Sequence, residues 1–126
     1  LIVPNVKNAD QLSLFGIANE VERLASLAKE RKIQFSELAN GTITITNFGA
    51  FDAISGTPII KHPEVAILGV GKITKKPIVV DNEIAIGDIL PISLTFDHRI
   101  IDGADGGRFM MSFKKYLKDP LLLLMS

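Results

Sequence analysis

Five side chains that can carry or move charge stand close together in this sequence: Asp97, His98, Arg99, Asp102 and Asp105. A histidine can take a proton from a nucleophile near neutral pH. An aspartate four residues later can orient that histidine, or it can cap a helix that begins after it. The residues alone leave both explanations open, because a packed histidine, a helix cap and solvated ion pairs account for the same pattern.

A second candidate side chain lies upstream, in the threonine-rich segment 41–49. The hydroxyl of Thr46 can donate a hydrogen bond to an oxyanion that forms on a carbonyl carbon. Threonine also favours β-strands because its side chain is branched at Cβ, so this residue has a structural explanation as well. The sequence therefore supplies a base, a carboxylate and hydroxyls without fixing a reaction.

Composition excludes several other kinds of site. The chain has no cysteine, which rules out a thiolate nucleophile, a disulfide and a zinc–thiolate centre within it. Its two histidines, His62 and His98, are too few for a three-histidine metal site. The formal net charge of +0 gives no indication of nucleic acid or a membrane as a partner. We expect a reducing compartment, the bacterial cytoplasm or alternatively the mitochondrial matrix.

Periodicity predicts the elements that position these side chains. Apolar residues recur at steps of three and four across 14–28, which indicates an amphipathic helix. A capping box of Asn8 and Gln11 would begin it, with Asp10 as an alternative cap. Strands are expected at 41–49, over 64–80 as one or two strands, and at 82–87. A strand through 88–98 would place His98 on the same face as its apolar residues, in a water-poor setting.

A final helix is expected from about Gly103 to Lys118, with Phe109, Phe113 and Leu117 turned inward. The remaining tail, 119–126, is apolar almost to its end. Strands outnumber helices, and a long helix lies near each end of the chain. The pattern is typical of an α+β fold with a mixed or antiparallel sheet.

The stretch FDHRIIDG, residues 96–103, resembles the His-x-x-x-Asp-Gly signature of the chloramphenicol-acetyltransferase-like acyltransferases. Its DHRxxDG form is that of the dihydrolipoamide acyltransferases, the core components of 2-oxo acid dehydrogenase complexes. Segments 8–33, 41–49, 56–73 and 90–109 resemble successive parts of that catalytic domain, in order. The resemblance implies an α+β two-layer sandwich, with a mixed sheet and packed helices. It also implies that 1–126 is the C-terminal portion of a single catalytic domain, without lipoyl and peripheral-subunit-binding domains.

The resemblance assigns a role to each candidate. His98 matches the base that takes a proton from the attacking thiol, and Thr46 matches the hydroxyl that supports the oxyanion, where many relatives have serine. Asp102 matches the aspartate of the signature, while Arg99 and Asn47 are expected to support the site. The implied reaction moves an acyl group between dihydrolipoamide and coenzyme A, with coenzyme A as a substrate and no metal. The lipoyl group would be carried by a domain outside this chain.

The resemblance also implies partners. The family builds its site at a trimer interface, with the histidine of one subunit facing the hydroxyl residue of its neighbour. Trimers assemble into a cage, and an apolar end such as 121–125 would dock into a neighbouring trimer. Further expected partners are the lipoyl domain, the decarboxylase and dihydrolipoamide dehydrogenase.

Two other functions remain open from the sequence. The first is a non-catalytic scaffold fragment of the complex core. The second is a condensation domain of peptide synthesis, although those domains usually have a doubled histidine where this chain has Asp97 before His98.

Overall fold

The computed structural model describes residues 1–124. They divide into two compact units, the first being Leu1–Thr42 and the second beginning at Ile43. Both candidate catalytic side chains, Thr46 and His98, belong to the second unit.

The first unit contains two helices, α1 (Leu14–Lys29) and α2 (Phe35–Leu38). Helix α1 begins after Ser13, whose hydroxyl accepts the amide hydrogen of Gly16 at 3.1 Å. The predicted cap at Asn8 is wrong, because Asn8 has a left-handed backbone (φ 49°) and its side chain makes no capping hydrogen bond. Leu24 is the buried residue of α1, at 3% exposure.

One arginine joins the two helices of this unit. The guanidinium of Arg23 lies 2.6 Å from Glu20 and 2.7 Å from Glu37. The backbone N–H of Gln34, followed by Arg23, lowers the pKa of Glu37 below its usual value. The same side chain of Glu37 thus closes the start of α2 and anchors it to α1.

The second unit contains five strands and a long helix. The strands are β1 (Thr44–Asn47), β2 (Ala66–Val70), β3 (Thr74–Val80), β4 (Glu83–Ile89) and β5 (Ile92–Phe96), and the helix is α3 (Gly103–Lys118). The predicted segment 64–80 is therefore two strands.

Strand β2 lies at the centre of a three-stranded sheet. It pairs in parallel with β1 and antiparallel with β5, so the sheet is mixed, and the predicted α+β class is confirmed. Ala66, Ile67 and Leu68 are exposed by 8, 5 and 2%. Consecutive residues of a strand point to opposite faces, so burial of all three shows that β2 is covered on both faces, which explains why its sequence is continuously apolar rather than alternating.

Strands β3 and β4 form a separate two-stranded hairpin. Its turn residues, Asp81 and Asn82, have φ values of 51° and 66°. Two consecutive left-handed residues form the turn whose twist matches that of antiparallel strands, and Asn and Asp tolerate this conformation better than most residues.

Helix α3 has the predicted bounds, but its packing differs from the prediction. Phe109 and Leu117 are 42 and 51% exposed in this chain rather than turned inward. The buried residue of α3 is Gly106, where an added Cβ would lie 2.7 Å from the ring of Phe96. The helix approaches β5 closely because a glycine, not a large apolar residue, faces that strand.

Candidate active site

His98 lies in the turn that follows β5. The strand ends at Phe96, and the ring centroids of Phe96 and His98 are 5.6 Å apart at an interplanar angle of 47°. The imidazole therefore lies beside the ring of Phe96, on the face of β5 that the alternation of side chains predicted. The expected water-poor setting is wrong for this chain alone, because His98 is exposed. The strand stops before it could carry the histidine into the core.

Asp97 organises this turn through its backbone. Its N–H donates to the carbonyl of Val65 at 2.8 Å, which ties the turn to the start of β2. Its carbonyl accepts the N–H groups of Ile100 and Ile101 at 3.0 and 2.9 Å.

The carboxylate of Asp97 is bonded to Arg99. It accepts the backbone N–H of Arg99 at 3.0 Å, Nε–H at 2.9 Å and Nη2–H at 2.6 Å. Hydrogen bonds from the Arg99 side chain and backbone, with a smaller contribution from the charge of His62, lower the pKa of Asp97 from 3.8 to about 2. The supporting role predicted for Arg99 thus has a structural basis, namely a contact with Asp97.

Asp102 caps α3. Its side chain accepts the N–H of Asp105 at 2.7 Å, which satisfies one of the free amides in the first turn. Asp105 in turn pairs with Arg108 at 2.5 Å on the helix surface. The capping explanation of Asp102 is confirmed, and its orienting action on His98 stays a prediction.

Thr46 and Asn47 lie on β1. In a strand with alternating residues the apolar face is usually buried and the polar face exposed, but β1 shows the reverse. Thr44 and Thr46 are half-buried, whereas Ile45 is 65% exposed. The apolar face of β1 is thus uncovered in this chain and its hydroxyl face is turned inward. Asn47 is exposed at the end of the strand.

Strand register separates Thr46 from His98. Thr46 is in register with Gly69 on β2, and Gly69 is in register with Ser93 on β5. From Ser93, β5 runs on to its end at Phe96, about 10 Å along the strand direction, and His98 lies in the turn beyond that end. The two strand spacings from β1 to β5 add about 10 Å across the sheet. A hydroxyl must lie within hydrogen-bond distance of the oxyanion to stabilise it. One chain therefore does not bring its own Thr46 and His98 to the same carbonyl.

A buried carboxylate next to this turn was missed by sequence reasoning. Glu64 is 7% exposed and accepts hydrogen bonds from Thr44 Oγ1 at 2.5 Å and Lys61 Nζ at 3.1 Å. It thereby joins β1 to the segment that enters β2. The Lys61–Glu64 spacing hinted at an ion pair, but nothing local in the sequence showed that the carboxylate is buried.

Most of the apolar tail forms a short 3₁₀-helix, Pro120–Leu124. Leu121 and Leu123 are 65 and 58% exposed. Met125 lies outside the described residues, so the predicted docking of the tail stays a prediction.

Among residues 1–124, no three His, Asp or Glu side chains are grouped so that they could hold a metal ion. No helix in this part of the chain is long and apolar enough to cross a membrane.

The mixed sheet, the turn that presents His98 and the capped helix after it agree with the chloramphenicol-acetyltransferase-like class of acyltransferase domains that the sequence resembles, and comparison with known proteins supports this class. The model of the family "2-oxoacid dehydrogenases acyltransferase (catalytic domain)" matches residues 1–125. The chain belongs to this family.

Two of the similar proteins are acetyltransferase components of pyruvate dehydrogenase complexes. The chain is 58% identical, over 126 residues, to the dihydrolipoyllysine-residue acetyltransferase component of the pyruvate dehydrogenase complex of Acholeplasma laidlawii. The alignment covers 100% of this chain and 23% of that protein. The corresponding Staphylococcus aureus protein is 49% identical, with 99% of this chain and 29% of the relative covered. The chain thus spans about a quarter of the length of these relatives.

Solved structures show the same fold. Dihydrolipoamide acetyltransferase of Azotobacter vinelandii matches with a TM-score of 0.92 and 38% identity, covering 98% of this chain and 51% of that one. That structure is described as a study of how a serine, a histidine and an asparagine act in the catalytic mechanism. The cubic core of a pyruvate dehydrogenase multienzyme complex also matches, with a TM-score of 0.92 and 37% identity. The predicted fold is confirmed.

Proposed function

We propose that the protein transfers an acetyl group between dihydrolipoamide and coenzyme A within a pyruvate dehydrogenase complex. One observation carries this proposal: Thr46, His98 and Asp102 are spaced by 52 and 4 residues, as are the serine, histidine and asparagine studied in the Azotobacter vinelandii enzyme. Agreement over both intervals, within a common fold, favours equivalent positions for the three residues, with threonine in place of the serine and aspartate in place of the asparagine.

The relatives favour acetyl as the group that is moved. The similar proteins from Acholeplasma, Mycoplasma and Staphylococcus are all named as acetyltransferase components of pyruvate dehydrogenase complexes.

In the proposed reaction, His98 removes the proton from the attacking thiol. The new thiolate bonds to the carbonyl carbon of the thioester, and the carbonyl electron pair moves onto oxygen. Thr46 donates its hydroxyl hydrogen to this oxyanion, a contact that strengthens as negative charge develops. When the carbonyl re-forms, the other carbon–sulfur bond breaks, and the departing thiolate takes the proton from His98. Asp102 fixes the start of α3, directly behind the turn that carries the base.

The separation of Thr46 from His98 in the strand register supports a site shared between two copies of the chain. We propose that His98 of one copy faces Thr46 of another, so that each site draws on two copies of the chain. The exposed imidazole would then be enclosed by the second copy, which would supply the water-poor setting that one chain lacks. The exposed apolar face of β1, with Ile45 at 65% exposure, supports association. A homotrimer and a larger cage are the proposed assemblies.

The other predictions from the sequence remain proposals. We place the chain in the C-terminal portion of one catalytic domain, as the resemblance of its sequence segments implies, and it covers about half of the solved relatives. The lipoyl domain, the decarboxylase and dihydrolipoamide dehydrogenase are the proposed partners. The bacterial cytoplasm is the proposed location.

Transfer from acetyl-coenzyme A to dihydrolipoamide tests the proposal. Replacing His98 with alanine removes the base, and we expect a loss of about 10²- to 10⁴-fold in kcat. Thr46→Val removes the hydroxyl at nearly constant shape, with an expected loss of about 10²- to 10³-fold. Thr46→Ser retains the hydroxyl and serves as the matched control, with activity close to that of the unmodified protein.

Equal rates for the unmodified protein and His98→Ala would contradict the catalytic proposal. The scaffold function would then be preferred. The transfer assay with succinyl-coenzyme A in place of acetyl-coenzyme A tests the acyl group separately, and a higher kcat/KM for succinyl transfer would contradict the acetyl assignment.

A further inference from the structure

We propose that Asp97 is a positioning residue for His98, a role that rests on the function proposed above. Its carboxylate fixes the backbone of the histidine, and Arg99 holds that carboxylate in place. Asp97 itself contacts neither substrate in this scheme, so it acts through the imidazole and not on the reacting atoms.

The carboxylate of Asp97 constrains the local backbone. One carboxylate oxygen of Asp97 accepts the N–H of Arg99, two residues later, at 3.0 Å. This hydrogen bond closes a ring in which an aspartate side chain takes the place of one backbone residue of a turn. His98 is the residue inside that ring. The hydrogen bond between its two neighbours therefore restricts its backbone dihedral angles, although His98 itself takes no part in the bond.

The side chain of Arg99 holds the carboxylate of Asp97 in place. Its Nε and Nη2 lie 2.9 and 2.6 Å from the two carboxylate oxygens of Asp97. A two-pronged contact of this kind stops the carboxylate from rotating, because rotation would break both hydrogen bonds. The carboxylate is thereby kept in the orientation that the backbone N–H of Arg99 requires.

A backbone hydrogen bond connects Asp97 to the sheet. The N–H of Asp97 donates to Val65 at 2.8 Å, at the start of the buried strand β2. The imidazole also lies beside the ring of Phe96, with 5.6 Å between centroids. His98 is therefore held between an anchored residue before it and a clamped residue after it, although its own side chain is exposed.

A small change in the position of a catalytic base has a large effect, since a displacement of about 1 Å costs on the order of 10²-fold in rate. Asp97→Asn keeps the size of the side chain and an oxygen that can accept the N–H of Arg99, but it removes the charge that holds the Arg99 side chain, so that this oxygen is no longer fixed in orientation. We expect kcat to fall about 10²-fold and KM for dihydrolipoamide to change less than about threefold.

Asp88→Asn is the matched control. Asp88 also pairs with a cation, Lys75, at 3.0 Å, but it lies on the hairpin beyond the opposite end of β5. We expect its kcat to equal that of the unmodified protein. If Asp97→Asn and Asp88→Asn have the same kcat, the positioning role is contradicted.

Arg99→Met tests the same contact from the other side and covers the case in which Asp97→Asn does not fold. If the two residues act as a unit, the double variant loses no more kcat than either single variant. Losses that multiply would contradict the clamp. Urea unfolding of each variant separates a loss of kcat from a loss of folded protein.

A structural measurement separates this inference from the proposed function. Failure of the unmodified protein to transfer acetyl groups would overturn the function alone. The positioning role would then be decided by solved structures of Asp97→Asn and Asp88→Asn. A displaced imidazole in the first and an unchanged 5.6 Å separation from Phe96 in the second support the role. An unchanged separation in both overturns it.

Discussion

Two adjacent glycines in α3 allow a paired test of how this helix packs behind His98. An added Cβ on Gly106 would lie 2.7 Å from Cε1 and 3.1 Å from Cζ of Phe96. An added Cβ on Gly107 meets no atom of residues 1–124 within 4 Å. The substitutions Gly106→Ala and Gly107→Ala therefore make the same chemical change in the same helix, with packing as the difference.

The expected free energies follow from two opposing effects. Alanine stabilises a helix interior by about 1 kcal/mol relative to glycine, and both variants receive this contribution. Forcing an extra carbon into a packed site costs about 1–3 kcal/mol, which falls on Gly106→Ala alone. Gly107→Ala should thus be more stable than the unmodified protein by about 1 kcal/mol. Gly106→Ala should be less stable than Gly107→Ala by about 1–3 kcal/mol.

Urea unfolding followed by circular dichroism measures both free energies. Phe96 also contacts the imidazole of His98, so Gly106→Ala should lower acetyl transfer while Gly107→Ala leaves it unchanged. If the two variants unfold at the same urea concentration with the same slope, Gly106 does not face β5 as described.

Three further predictions concern single residues. Asp102→Ala should cost about 1 kcal/mol of unfolding free energy and Asp102→Asn much less, because asparagine also caps helices; equal losses by urea titration would contradict the cap. Leu68→Ala, at a position 2% exposed, should cost about 2–5 kcal/mol in the same measurement, and a loss below about 1 kcal/mol would contradict the central place of β2. Because Arg99 lowers the pKa of Asp97 from 3.8 to about 2, the ionised carboxylate stabilises the fold above about pH 4, and this stabilisation is lost as the pH falls toward 2. Asp97→Asn should therefore lose less stability than the unmodified protein over that window in an acid titration, and identical curves would refute the assignment.

Local patterns predicted the elements well where one signal dominated. Helix α3 has its predicted bounds because Asp102 caps it and its apolar spacing has no competitor. The start of α1 was misplaced because two polar residues competed for the cap. Asn8 has the right chemistry but a left-handed backbone, and Ser13 takes that role.

Burial was harder to predict than element type. Periodicity shows which residues share a face, but it does not show which face is covered. Ile45 and Phe109 are exposed in this chain, while Thr46 is half-buried. Which face of β1 is covered depends on the segments that pack above and below the sheet, and no local pattern in β1 reveals them.

The candidate site shows the same division. The motif identified His98 and Asp102, and resemblance identified Thr46. The sequence allows Asp97 and Arg99 to form an ordinary solvated ion pair, and their two-residue spacing alone does not show that the carboxylate also accepts the Arg99 backbone N–H. The separation of Thr46 from His98 follows from strand register, which only the structure supplied.

We propose that acetyl transfer takes place at a site formed by Thr46 of one copy and His98 of another. Mixing His98→Ala with Thr46→Val tests it directly, after the two inactive variants are dissociated and reassembled together in equal amounts. In a ring of copies with head-to-tail contacts, about one quarter of the sites would combine an intact Thr46 with an intact His98. We predict that the mixture recovers about one quarter of the unmodified activity. A mixture as inactive as its two components would contradict the claim.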